Sequence, residues 1–130
     1  MKKLFIILLA TTLLFCLISC GSSAFDDIVS QLDEVSWYSS MIYSRAEITQ
    51  IEESIGQAGI ELTGEVKGIA HYVKASYPQN TWVYVYEFEN ETDAATFKAQ
   101  YADNWGSARI IENVVVYGTC IDAIDSLAFN

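Results

Sequence analysis

Proline, histidine, cysteine and basic residues are all scarce in this chain. Its 130 residues include one proline, one histidine and three cysteines, and seven basic residues stand against seventeen acidic ones. An acidic excess of this size repels nucleic acid and anionic lipid headgroups within a Debye length of about 10 Å. We therefore expect no nucleic-acid partner.

The chain also lacks the short motifs of common catalytic and metal sites. It contains no G-x-S-x-G, no phosphate-binding glycine loop, no H-E-x-x-H and no calcium loop of the D-x-[DN]-x-[DN]-G type. His71, the only histidine, would have to supply any imidazole base alone. We expect no enzymatic activity, no metal and no cofactor.

The first twenty residues contain the long apolar run of the chain. Lys2 and Lys3 precede an apolar stretch over residues 4–18, and Leu17-Ile18-Ser19-Cys20 closes the segment. The stretch is shorter than the roughly 20 residues that a helix needs to span a bilayer. The pattern resembles the signal peptide and lipobox of bacterial lipoproteins.

This resemblance implies cleavage between Ser19 and Cys20 and a diacylglyceryl group on the Cys20 sulfur. The mature protein would be lipid-anchored at the extracytoplasmic face of the cell membrane, or at the outer membrane in a Gram-negative bacterium. Two acyl chains hold a protein stably, because each buried methylene contributes about 0.8 kcal/mol. The membrane is therefore an expected partner through the anchor alone.

Processing at this site would change the charge and the thiol content. All seventeen acidic residues and five of the seven basic residues follow Cys20, so the mature net charge would be −12. Cys16 would leave with the leader and Cys20 would carry lipid. Cys120 then remains as the one free thiol, which excludes an intrachain disulfide.

We predict a signal peptide over residues 1–19, a lipidated cysteine and tether over 20–25, and a single α+β domain over 26–130. Hydrophobic spacing, caps and turn residues predict the elements of the domain. Helices are expected over residues 25–34, from the Ser44/Glu47 capping box to Gly59, from Asn90 to Gly106, and from Thr119 onward; strands are expected over residues 62–75, 81–88, 108–111 and 114–118.

The order helix, strand, strand, helix, strand, strand, helix predicts a mostly antiparallel four-stranded sheet with the two main helices on one face. It is also the order of a ferredoxin-like fold whose first strand has moved to the end of the chain. Residues 35–43 are expected to be irregular. A tight turn at Glu112-Asn113 is expected to place Asn113 at positive φ.

The strand over residues 81–88 carries the clearest candidate surface. Alternation points Trp82, Tyr84 and Tyr86 to one face and Val83 and Val85 to the other. If the aromatic face meets the helices, these rings fill the core. If the valines meet the helices, the rings form an open platform for a protein, peptide or glycan. A third arrangement covers that face with Trp37, Tyr38 and Tyr43.

Carboxylates alternate where this strand leads into the next helix, at Glu87, Glu89, Glu91 and Asp93. Oxygen ligands of this kind suit calcium. Alternation nevertheless sends successive side chains of a strand to opposite sides. We interpret the segment as a solvated turn followed by an acidic helix N-terminus.

Cys120 suggests a different chemistry. With Thr119 as the cap, its thiol would lie in the first turn of the last helix, where the helix dipole favours the thiolate. A dyad with His71 would require the two residues to meet in space. A lone cysteine is also commonly a small buried apolar group, so both interpretations stay open on the sequence.

The anchor, the missing motifs and the aromatic strand favour a non-enzymatic binding or accessory module of the cell envelope. The alternative is a small thiol-dependent enzyme or redox protein that uses Cys120. A third hypothesis is a spacer or accessory subunit of a transporter or another envelope machine.

Overall fold

The computed structural model describes residues 23–129, which form four α-helices, five strands and one 3₁₀ helix. The elements are α1 (Ala24–Asp33), β1 (Ser39–Ile42), α2 (Arg45–Gln57), β2 (Val66–Lys74), β3 (Thr81–Phe88), α3 (Glu91–Gln100), the 3₁₀ helix (Ala102–Asn104), β4 (Ser107–Ile111), β5 (Val114–Gly118) and α4 (Ile121–Asp125). The predicted signal peptide, cleavage site and lipidated Cys20 lie outside the described residues.

Side chains at the predicted caps satisfy free amides at the starts of α2 and α3. The Ser44 hydroxyl accepts the Glu47 backbone N–H at 3.3 Å and donates to the Glu47 carboxylate at 2.9 Å. The Asn90 side-chain oxygen accepts the Asp93 backbone N–H at 2.8 Å. Each interaction replaces a hydrogen bond that the first helical turn lacks. Both predicted caps are confirmed.

The strands form one antiparallel sheet in the order β1-β2-β3-β5-β4. The α+β class is therefore confirmed. The sheet has five strands instead of four, because Ser39–Ile42, predicted to be irregular, pairs with β2 and places Met41 opposite His71. The mixed serine and aromatic composition hid this strand, which is stabilised by pairing with a segment some thirty residues further along the chain.

Helices cover both faces of the sheet, so the predicted pair of main helices on one face is only part of the helical layer. Helices α2 and α3 pack on the face that carries Tyr86 and Phe88. Helices α1 and α4 pack on the face that carries Val83 and Val85. Because β3 is apolar on both sides, only two packed layers remove its side chains from water.

Three element boundaries also differ from the prediction. Strand β2 begins at Val66, and residues 62–65 precede it as a loop. Helix α3 ends at Gln100, and a separate 3₁₀ helix follows it. Cys120, and not Thr119, occupies the position before α4, where no side chain caps the helix.

The β4–β5 hairpin turns at the predicted residues with a different backbone conformation. Glu112 takes the positive φ, at 54°, in place of Asn113. The Asn113 side-chain amide donates to the Phe88 carbonyl at 2.6 Å, and the Asn113 carbonyl accepts the Phe88 N–H at 2.8 Å. Asn113 therefore ties the hairpin to the end of β3.

Candidate functional site

The aromatic residues of β3 share one face, but α2 and α3 cover them unequally. Phe88 and Tyr86 are buried, whereas Tyr84 and Trp82 are half-buried. The intervening valines lie in the core on the opposite face. The structure thus brings Trp82, Tyr84 and Tyr86 together, with Tyr86 in the core and Trp82 reaching solvent.

Six side chains form a partly open surface around this end of β3. We call it the aromatic shelf, and its residues are Tyr43, His71, Trp82, Tyr84, Tyr101 and Trp105. Tyr101 and Trp105 are 36 % and 46 % exposed, and the other four are half-buried. Strands β2 and β3 supply the centre of the shelf, and the ends of β1, α3 and the 3₁₀ helix supply its margins.

His71 and Tyr84 form the centre of the shelf. The β2–β3 register places them opposite each other, and their rings stack with centroids 4.0 Å apart and planes 2° apart. Tyr43 meets His71 edge-on at 6.5 Å, and Trp82 meets Tyr84 edge-on at 5.5 Å. Paired rings in such arrangements attract each other beyond the effect of burial alone.

Trp105 and Tyr101 extend the shelf on the α3 side. The Trp105 ring lies 6.3 Å from Trp82 and 6.1 Å from Tyr101 between centroids. Buried Tyr117 contacts both sides of this group, at 5.7 Å from Trp82 and 6.0 Å from Tyr101. Buried Tyr117 therefore supports Trp82 and Tyr101, the two rings that Trp105 contacts.

Two glycines allow a close backbone approach at the Trp82 end of the shelf. A Cβ on Gly118 would lie 2.1 Å from the Trp82 carbonyl oxygen, and one on Gly106 would lie 2.2 Å from the Gly118 carbonyl oxygen. The Thr119 hydroxyl accepts the Trp82 backbone N–H at 3.1 Å. A side chain on Gly118 would push β5 away from β3 at Trp82, and one on Gly106 would push the residue after Trp105 away from β5.

The two central rings of the shelf are uncharged at neutral pH. Burial lowers the pKa of His71 below its ordinary value of 6.5, which favours the neutral imidazole. Burial, followed by the neighbouring Tyr43 hydroxyl, raises the pKa of Tyr84 above its ordinary value of 10. The centre of the shelf is therefore polarisable and aromatic without carrying a charge.

The burial of His71 predicts a pH-dependent stability. Because the unfolded chain binds the proton more readily, the free energy of unfolding falls as the pH drops from about 6.5 through the lower pKa of the folded state. We expect the His71→Phe variant to lose this pH-dependent part of the free energy of unfolding. The phenylalanine ring would still pack on Tyr84. Urea unfolding of both proteins at several pH values between about 5 and 7.5 measures the difference. An identical pH dependence in the variant would contradict the prediction.

A narrow groove between α2 and α3 continues from the shelf. Its volume is about 140 Å³. It is lined by Ile51, Ser54, Ile55, Ala58, Ile60, Tyr86, Phe97 and Tyr101. Tyr101 belongs to both surfaces, so an occupant of the groove would also contact the shelf.

Cys120 and His71 lie on opposite faces of the sheet. Cys120 is buried and packs in the core with Ile28, Val83 and Ile124. His71 faces the other side, beside Tyr84. The structure therefore does not bring the free thiol and the only imidazole together.

The carboxylates around the start of α3 have separate partners. Glu89 accepts the Glu65 backbone N–H at 2.8 Å. Asp93 is buried and accepts the backbone N–H groups of Thr63 and Gly64, each at 2.8 Å. Among residues 23–129, no three His, Cys, Asp or Glu side chains are grouped so that they could hold a metal ion.

The aromatic residues of segment 35–43 do not cover the aromatic face of β3. Trp37 packs against Tyr72 on the α1 face, with ring centroids 5.2 Å apart, and donates its indole N–H to the Leu32 carbonyl at 2.6 Å. Tyr38 is exposed. Only Tyr43 joins the shelf.

Tyr101 and Trp105 are shelf residues that the sequence did not connect with Trp82. Phe97, Tyr101 and Trp105 recur every four residues, a spacing that predicts one face of a single helix and no contact with Trp82. The end of α3 at Gln100 and the following 3₁₀ helix instead bring Trp105 against Trp82.

The chain matches no protein-family model, no curated protein and no solved structure. Within residues 23–129, none of the helices is long and apolar enough to cross a membrane.

Proposed function

We propose that this chain is a lipid-anchored protein of the bacterial cell envelope, whose domain binds a partner on the extracytoplasmic side without catalysing a reaction. The lipobox Leu17-Ile18-Ser19-Cys20 supports the anchor, with lipid on Cys20. The aromatic shelf supports a binding role, because contiguous exposed apolar surface commonly marks an interaction site.

The observation that carries this proposal is the position of the shelf relative to the start of the domain. Helix α1 begins at Ala24, only four positions after Cys20. Ala24 lines a cavity together with Ile111 and Glu112, at the turn between β4 and β5. Trp82 lies toward the opposite end of β3 from this turn, about 20 Å away at roughly 3.3 Å per residue.

A lipid on Cys20 would therefore hold the β4–β5 turn near the membrane and leave the shelf facing away from it. Residues 21–23 span at most about 3.5 Å each, so the domain would stay close to its anchor. Its acidic surface would repel anionic headgroups. The shelf would then be open to partners in the aqueous space beyond the membrane.

Photocrosslinking in cells tests this function. The full chain with benzoylphenylalanine in place of Trp105 is expected to form a discrete adduct in the envelope fraction. Adding Trp82→Ala is expected to reduce the yield several-fold, because the shelf loses its neighbouring ring. The matched control position is Ile121, which is 48 % exposed on α4 across the sheet. Equal adducts at positions 105 and 121, or none at 105, would contradict the proposal.

We also propose that β2, β3, β5 and β4, with α2 and α3, form a ferredoxin-like unit whose first strand has moved to the end of the chain. The support is the order β2-β3-β5-β4, with every neighbouring pair antiparallel and both helices on one face. Elements α1, β1 and α4 would be additions to this unit. Such a fold hosts many functions, so the fold alone does not define the role.

A further inference from the structure

The two arginines of the described chain are engaged away from the aromatic shelf. Arg45 donates to the Val66 carbonyl at 2.8 Å and pairs with Glu52. Arg109 donates to two carbonyls in and after α4, at 2.9 and 3.0 Å, and its guanidinium lies over the Phe129 ring. Both guanidinium groups therefore already have partners within the chain.

The lysines of the described residues are also unsuited to bind an anionic ligand on the shelf. Lys98 pairs with Asp103 at 2.9 Å, and Lys67 lies 3.6 Å from Glu65. Lys74 lines a cavity beside α4, on the other face of the sheet. With the central imidazole also neutral, an anionic ligand would find no unpaired positive charge on the shelf.

The shelf is instead complementary to a cation. The exposed rings of Trp105 and Tyr101 lie 6.1 Å apart, and Trp82 is 6.3 Å from Trp105. A cation within about 6 Å of a ring centroid is attracted to the negative face of that ring, so one cation can contact two of these rings. Asp103, between Tyr101 and Trp105 in the chain, already pairs with Lys98, so the further attraction comes from the acidic excess of residues 21–130.

The surface next to the shelf has the features that accept an extended peptide. Strand β1 is an edge of the sheet, and its Met41 and Ile42 side chains are exposed. An unpaired edge offers backbone groups to an added strand. The apolar groove between α2 and α3 is large enough for one aliphatic side chain.

We propose that the shelf binds a basic peptide segment of a partner protein. An arginine or lysine of the segment lies on the Trp105 ring and on that of Trp82 or Tyr101, and a neighbouring apolar side chain enters the groove. This inference rests on the proposed function, because it names the partner class of the same surface.

Two matched peptides test the charge requirement. One is an acetylated, amidated hexapeptide of alternating leucine and arginine, and the other replaces each arginine by citrulline, which keeps the planar head and loses the charge. Both are titrated into the purified full chain, and binding is measured by tryptophan fluorescence and by NMR shifts of the shelf residues. We expect the citrulline peptide to bind about tenfold more weakly or worse.

A pair of variants distinguishes binding to the shelf from general attraction to the acidic domain. Trp105→Ala is expected to weaken binding of the arginine peptide at least fivefold. Tyr77→Ala, at a 97 % exposed tyrosine in the β2–β3 connection, is the aromatic control and is expected to bind as the wild type does. If Trp105→Ala also binds like the wild type, attraction to the acidic domain explains the binding and the inference is wrong.

The remaining outcomes distinguish this inference from the proposed function. If the citrulline peptide binds as tightly as the arginine peptide, the shelf accepts apolar peptides and the role of the cation is wrong. If neither peptide binds while the crosslink at position 105 forms, the partner has another chemistry and only the inference fails. If that crosslink is also absent, the proposed function fails with it.

Discussion

Replacing Asp93 by alanine is expected to lower the free energy of unfolding by about 3 kcal/mol, because buried amides lose a charged acceptor. Asp93 is 1 % exposed, and its carboxylate accepts the N–H groups of Thr63 and Gly64 and the Thr63 hydroxyl. These bonds hold the loop before β2 against the start of α3. Urea unfolding of the purified protein at neutral pH measures the loss.

Glu91→Ala is the matched control, since Glu91 is an exposed acid in the same first turn of α3. Its carboxylate lies near the positive end of the helix dipole, so a change of at most about 1 kcal/mol is expected. Equal effects of Glu91→Ala and Asp93→Ala would show that Asp93 contributes only its charge at the helix N-terminus.

The same carboxylate predicts a loss of stability in acid. Burial alone would raise the pKa of Asp93, but hydrogen bonds from Thr63, Gly64 and Asn90 outweigh it and lower the pKa below 3.8. The contribution of Asp93 is therefore fully present above about pH 4 and is lost as the pH falls through the lower folded pKa. Asp93→Asn is expected to remove this component, which unfolding curves between about pH 2 and 5 detect.

Replacing Cys20 by serine is expected to abolish both lipid attachment and cleavage of the leader. The serine hydroxyl lacks the nucleophilic sulfur that would carry the diacylglyceryl group. The uncleaved variant therefore keeps residues 1–19 and carries no fatty acid. Labelling of cells with an alkyne-tagged fatty acid, followed by mass measurement of the protein, reads out both changes.

Cys120→Ser provides the control for this experiment, because Cys120 is the thiol that the structure buries in the core. It is expected to keep the wild-type label, mass and membrane fractionation. An unlabelled wild-type protein, or label that follows Cys120 instead of Cys20, would overturn the proposed anchor.

The elements that depended on short-range interactions were predictable. Ser44 with Glu47 caps α2, and Asn90 caps α3, because each cap joins residues three positions apart. Strand β3 was evident from its run of β-branched and aromatic residues. The β4–β5 hairpin was evident from two apolar runs around Glu112-Asn113, although Glu112 takes the positive φ.

The elements that depended on distant partners were not predictable. Strand β1 is stabilised by pairing with β2, and its own four residues show no alternation of apolar and polar side chains. Asp93 holds the loop before β2 by accepting from Thr63 and Gly64, which are thirty and twenty-nine positions away in the chain. At the level of sequence, the same aspartate was only one of four alternating acids.

The sequence by itself determined the class of the fold, the positions of most helices and strands, and the alternation that sets Trp82, Tyr84 and Tyr86 on one side of β3. Each of these follows from backbone geometry and from neighbours within a few residues. Only the tertiary structure decided which helices cover that side and at which residues those helices end. Tyr84 and Trp82 reach solvent because α2 and α3 cover the other end of β3, and Trp105 joins them because α3 ends at Gln100.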